Sequence, residues 1–100
     1  MTYAGTFHDR NGLSYAGRSL QKKADRIGSV FPKPSGNVYE VNLQGQKVLE
    51  EILNHPGKKI VFPDQLSKKF GFELVDIVVP NKGGARFTRD GKTMIGFLEP

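Results

Sequence analysis

The run from Gly83 to Pro100, Gly-Gly-Ala-Arg-Phe-Thr-Arg-Asp-Gly-Lys-Thr-Met-Ile-Gly-Phe-Leu-Glu-Pro, restricts this chain more than any other segment. Asp90-Gly91 is a strong hairpin-turn dipeptide, and the residues on either side read as two short arms that pair across it. Alternation places Ala85, Phe87 and Arg89 on one face of the first arm and Gly84, Arg86 and Thr88 on the other. An arginine and a threonine side by side on a short strand can hold a phosphate, because the guanidinium grips two oxygens at once. Pro100 follows directly on the second arm, so the hairpin is expected to close the fold.

Upstream, the pattern predicts helices before strands. Residues Met1 to Leu13 show no clean period and read as a loosely ordered lead-in. From Ser14 to Ile27, Tyr15, Leu20, Ala24 and Ile27 fall at helical spacing, with Ser14 or Ser19 as the cap and Gly28 as the stop. The opposite face carries Arg18, Gln21, Lys22, Asp25 and Arg26 and is mostly basic. Val38 to Leu43 alternates and predicts a short strand, leading into a helix over Gln44 to Asn54 with Val48, Leu49, Ile52 and Leu53 inward and Glu50 and Glu51 outward. The period then becomes two: Lys59 to Phe62 and Phe72 to Val79 read as strands, separated by Pro63 to Gly71 as a loop or one helical turn. With Asn81 to Gly84 as a hairpin loop, the whole is an α+β meander in a single domain, residues 1–100.

Charge narrows the partner. The chain has 15 Lys and Arg against 10 Asp and Glu, a net +5. A basic excess on so small a body favours a polyanion, since phosphate contacts release counterions and steer encounter. The two outer thirds are basic, and residues 34–57 between them are acidic. There is no cysteine, which removes disulfides, thiol nucleophiles and thiolate metal sites together. No His-Glu-x-x-His, acidic cluster, Walker A or dinucleotide fingerprint occurs, so no metal and no cofactor are expected. No signal peptide and no run long enough to span a bilayer is present.

What these residues can do is metal-free work on a phosphodiester. RNA supplies its own nucleophile, the 2′-hydroxyl, so the protein need add only a base, cations for the phosphorane oxygens and an acid for the leaving 5′-oxygen. DNA offers no such nucleophile, and the balance tilts to RNA. His55, where a helix ends, is the first acid/base candidate, and His8 is its rival. The alternative for His55 is that it does no more than cap its helix. Lys68 and Lys69 can grip backbone phosphate, and either becomes a base if desolvated. Arg86 and Thr88 are expected at the scissile phosphate, the alternative being an Arg86 salt bridge to Asp76 or Glu99. Lys22, Lys23, Arg26, Lys69 and Lys92 are expected to track the RNA backbone.

A wider pattern joins these segments. Lys23-Ala24-Asp25-Arg26-Ile27-Gly28, Phe31-Pro32, Gly36-Asn37, the run from Asn42 to Asn54, Pro56, Gly84-Ala85-Arg86-Phe87, Asp90-Gly91-Lys92 and the closing Gly-Phe-Leu-Glu-Pro resemble the C-terminal toxin module of bacterial polymorphic toxins. These modules tip contact-dependent growth inhibition, Rhs and filamentous-haemagglutinin-like exoproteins. The resemblance implies a barnase/EndoU/colicin/RelE-like fold, with N-terminal helices on a twisted antiparallel sheet. It also implies a metal-independent endoribonuclease, commonly acting on tRNA, and a cognate immunity protein that covers its site. Such a module is exported on a larger exoprotein and acts in the target-cell cytoplasm; a translation factor is the helper to consider. Two other readings stay open: a non-catalytic nucleic-acid-binding module and a metal-dependent DNase toxin.

Overall fold

In the computed structural model, residues 1–6 and 12–100 are described, except the side chains of Gln65 and Leu66. Two helices pack on one face of a four-stranded sheet. The first, α1, spans Tyr15–Ala24; Ser14 caps it, its hydroxyl accepting the Gly17 N–H at 2.9 Å. Ala16, Gly17, Ser19 and Leu20 form its buried face, while Lys22 and Lys23 occupy its last turn, where the helix dipole favours cations. The helix ends three residues short of Ile27, which is fully exposed, because the backbone turns at Asp25 and again at Gly28 (φ +77°).

The second helix, α2, spans Val38–Leu53 and corrects the strand expected at Val38 to Leu43. Asn37 and Glu40 form a reciprocal capping box: Asn37 Oδ1 accepts the Glu40 N–H at 2.9 Å and Glu40 Oε1 accepts the Asn37 N–H at 3.3 Å. With its first turn satisfied, the helix starts early, and Val41, Gly45, Leu49 and Ile52 continue as one buried stripe. Of the alternating residues Val38 to Leu43 only Val41 lies on the buried face of the helix, and Val38, Tyr39 and Leu43 are exposed. Asn37→Ala is expected to lower stability by about 1 kcal/mol in a urea titration, with cleavage activity unchanged.

The helices cross where α2 has no side chain. A Cβ on Gly45 would lie 2.5 Å from Gly17 N and 2.6 Å from Ala16 C. The contact is pinned by Asn42, whose Oδ1 accepts the Ser14 N–H at 2.7 Å and whose Nδ2 donates to Gly12 O at 3.0 Å. The expected loose lead-in is, over Thr2–Thr6, a 3₁₀ turn with Ala4 and Gly5 buried; Gln46 donates to Thr2 O from α2. His8 and its neighbours, residues 7–11, lie outside the described residues.

The sheet is an antiparallel meander in the order β1 (Lys59–Val61), β2 (Leu74–Val79), β3 (Gly83–Thr88), β4 (Met94–Leu98). A short helix, α3 (Asp64–Phe70), joins β1 to β2 where a loop or single turn was expected, and stops at left-handed Gly71 (φ +80°). Val75, Ile77, Val79, Ala85, Phe87, Met94 and Phe97 face the helices and join Leu20, Leu49 and Ile52 in the core. Phe31, in the connector between α1 and α2, closes it with its ring 5.2 Å from that of Phe97. No helix among the described residues is long and apolar enough to cross a membrane.

Candidate functional site

Strand alternation gives the sheet a second face, and Asp76, Arg86 and Gly96 lie side by side on it in register. The register shifts between Arg86 and Phe87, leaving Ile95 of β4 as an extra, exposed residue beside Arg86. Such bulges re-aim the side chains around them. Helix α1 docks against β4: Ser19 Oγ accepts the Phe97 N–H at 2.7 Å, and Gly96 leaves room for it, since a Cβ there would meet that oxygen at 3.1 Å. Docked so, α1 turns its basic face to the edge of the sheet. The result is an open groove of about 460 Å³ lined by Tyr15, Arg18, Lys22 and Lys23 of α1, by Arg26 just past its end, by Arg86, and by residues 93–98.

Arg86 forms the floor and is held firmly. Its Nε and Nη2 donate to the two oxygens of Asp76 at 2.8 Å each, and both side chains are largely buried. This bidentate bond leads, ahead of plain charge attraction, in holding the guanidinium more strongly protonated than a free arginine, although burial works against it. Among the described residues Nη1 has no hydrogen-bond partner, and Arg86 lines the groove. Lys23 is less exposed than the other α1 cations. Burial first, then the charges of Arg26, Lys22 and Arg86, hold it below the ordinary lysine range, while Glu99 opposes them. Glu99 is itself fixed, accepting from Ser29 Oγ at 2.7 Å and from the Val30 N–H.

The groove gathers four of the residues expected from sequence, Arg86, Lys22, Lys23 and Arg26, and leaves the others elsewhere. Thr88 does not converge with Arg86: its hydroxyl donates to Asp90 Oδ1 at 2.7 Å, and that carboxylate also accepts the Lys92 N–H. The Lys92 N–H, then the Thr88 hydroxyl, hold Asp90 below the usual carboxylate range. The pair therefore shapes the turn, with Gly91 at φ +76°. His55 lines a different cavity, with Phe31, Val48 and Asn81, and its Nδ1 accepts the Gly57 N–H at 2.9 Å, so it shapes the exit of α2. Lys68 and Lys69 are exposed in the last turn of α3, not on a loop, and Lys92 sits in the β3–β4 turn next to Thr93 of the groove.

Arg18, Tyr15 and Asp76 were not chosen as site residues from sequence. Arg18 stands four residues before Lys22, the helical spacing that puts both on one face of α1, and Arg26, four further on and past the helix end, lines the same groove. Of the two ion-pair partners the sequence offered for Arg86, Asp76 and Glu99, the sheet register selects Asp76. Among the described residues no three of His, Cys, Asp and Glu come together as a metal-holding group.

An α+β body with a groove of five cations on one sheet edge defines a protein that handles phosphate polyanions. Residues 3–99 match the CdiA C-terminal tRNase toxin domain, and the chain belongs to that family. It is thus a tRNase toxin domain, an endoribonuclease whose substrate is tRNA. Among solved structures, the toxic C-terminal tip of CdiA from Pseudomonas aeruginosa, determined in complex with an immune protein, shares the fold with a TM-score of 0.73. The two are 24% identical over 99% of this chain and 100% of that one. No curated protein matches the chain.

Proposed function

We propose that the groove between α1 and β4 is where tRNA is cut, without a metal ion, by attack of a 2′-hydroxyl on its neighbouring phosphate. What carries this reading is the convergence of Lys22, Lys23, Arg26 and Arg86 on one groove. Arg86, preset by Asp76, offers its free end to the phosphate oxygens as charge builds on the phosphorane. Lys22 and Arg26 hold the adjoining phosphates. Lys23, the cation most easily deprotonated here, takes the 2′-hydroxyl proton; the 2′-oxygen bonds to phosphorus, the bond to the 5′-oxygen breaks, and that oxygen collects a proton from water.

Purified protein incubated with total tRNA in EDTA is expected to cut it, and RNA that is bound but left whole would reject the mechanism. Since Lys23 is held below an ordinary lysine, its neutral form accumulates at lower pH than usual. The cleavage rate should rise with pH and level off below the ordinary lysine value. Lys23→Arg, which keeps the charge but cannot give up its proton, should lose that rising limb and most of the rate, by a factor of about 10² or more.

The same reading includes an acidic immunity protein that covers the cationic groove, and action in the cytoplasm of a target cell after delivery at the tip of a CdiA exoprotein. A translation factor is the helper we would add to the reaction; a rate that rises only in its presence would make it a partner.

A further inference from the structure

We propose that Phe70 and Phe72, flanked by Lys68 and Lys69, form a second RNA subsite, a platform on which an unpaired base near the cleavage point stacks. This rests on the tRNA cleavage proposed above for the groove. The two rings stand 5.8 Å apart on either side of Gly71, and both are nearly half exposed, 47% and 45%. A nearby ring, Phe62, is already capped: the Arg89 guanidinium sits 4.7 Å from its centroid.

Charge at this place is unbalanced in a way that suits a polyanion. The local carboxylates are taken by Arg89, which pairs with Asp64 at 3.2 Å and Glu73 at 3.5 Å while donating to Leu74 O. Among the described residues, neither Lys68 nor Lys69 has an ionic partner. Aromatic faces beside unpaired cations are what a single strand needs, rings for the bases and charge for the phosphates.

The platform also lies on the right side of the sheet. Leu74 and Asp76 are two residues apart on β2 and share a face, the one that carries Arg86. Leu74 is completely buried yet stands outside the core cluster, and its N–H donates to Ser67 Oγ of α3 at 2.9 Å. Helix α3 therefore covers the far end of the face whose near end opens into the groove. Two strand spacings, about 10 Å, separate β2, which follows directly on the platform, from β4, which lines the groove.

The test uses the full chain with Phe70→Ala and Phe72→Ala combined. In cleavage of total tRNA the expected result is a KM raised about tenfold or more with kcat unchanged, and Phe72→Trp should restore affinity. A single-stranded 2′-O-methyl RNA decamer carrying 2-aminopurine, which cannot be cut, should be quenched by the wild type and not by the double variant. Lys68→Gln with Lys69→Gln should weaken the same binding and flatten its salt dependence. A double variant that binds the decamer and cuts tRNA as the wild type does overturns the platform. So does one that alters only self-association in sedimentation or binding of a protein partner. Quenching without cleavage by the wild type would reject the proposed cleavage and keep the platform; cleavage without quenching rejects the platform alone.

Discussion

Arg86→Ala should reduce tRNA cleavage by about 10³-fold or more, since on the proposed mechanism it removes the guanidinium that meets the charge developing on the phosphorane. The same change should also cost the fold about 3–5 kcal/mol, because Asp76 stays buried with both oxygens unpaired. A domain of this size holds only about 5–15 kcal/mol in total. A loss of activity in Arg86→Ala alone therefore has two readings. The double change Arg86→Met with Asp76→Leu separates them. Replacing a buried ion pair by apolar side chains of similar bulk is often neutral or stabilising. The double variant should melt near the wild-type temperature and still fail to cut tRNA. If it both folds and cuts, the floor of the groove is structural and the phosphate is held elsewhere.

The second large effect lies far from any phosphate. Gly45→Ala would favour α2 by about 1 kcal/mol on helix propensity alone. Its methyl group, however, would sit 2.5 Å from backbone atoms of α1 that cannot move aside singly. Overpacking of this kind costs about 1–3 kcal/mol and is relieved by parting the helices. Because α1 carries Lys22 and Lys23 and leads directly into Arg26, that shift is felt at the groove. The expected result is a net loss of stability in urea and a fall in cleavage that exceeds the fraction unfolded. A Gly45→Ala protein more stable than the wild type, with full activity, would show that the crossing has slack.

Much of the fold was legible because local chemistry and tertiary need agree. Asp90-Gly91 sets a turn wherever it occurs between pairing arms, and Ala85 and Phe87 are core on any arrangement of that hairpin. The basic face of α1 was legible from the spacing of Arg18, Lys22 and Arg26. Val38 to Leu43 misled because alternation is a two-residue signal, and the Asn37–Glu40 capping box, a four-residue one, outweighs it. Helix α3 was half legible: Pro63-Asp64 opens it and Gly71 ends it, but seven residues carry too little amphipathic pattern to separate a helix from a loop.

The site was less legible, and for one reason. Sequence shows which side chains share a face, not which of their partners lie on the next strand. Arg86 and Thr88 do share a face, yet Asp76 takes one and Asp90 the other. His55 was chosen for its chemistry, while its place was decided by the exit of α2, in a cavity that shares no lining residue with the groove. Arg86, Lys22, Lys23 and Arg26 were picked as separate contacts; their meeting depends on Ser19 holding Phe97, 78 residues later in the chain.

That last bond carries a consequence for how the groove comes into being. One of its walls is α1 and the other is β4, far apart along the sequence, so neither wall makes the cleft alone. Until β4 pairs with β3 and takes up the Ser19 hydroxyl, the α1 cations and Arg86 have no common cleft, so the groove is expected to form only when the whole domain has folded.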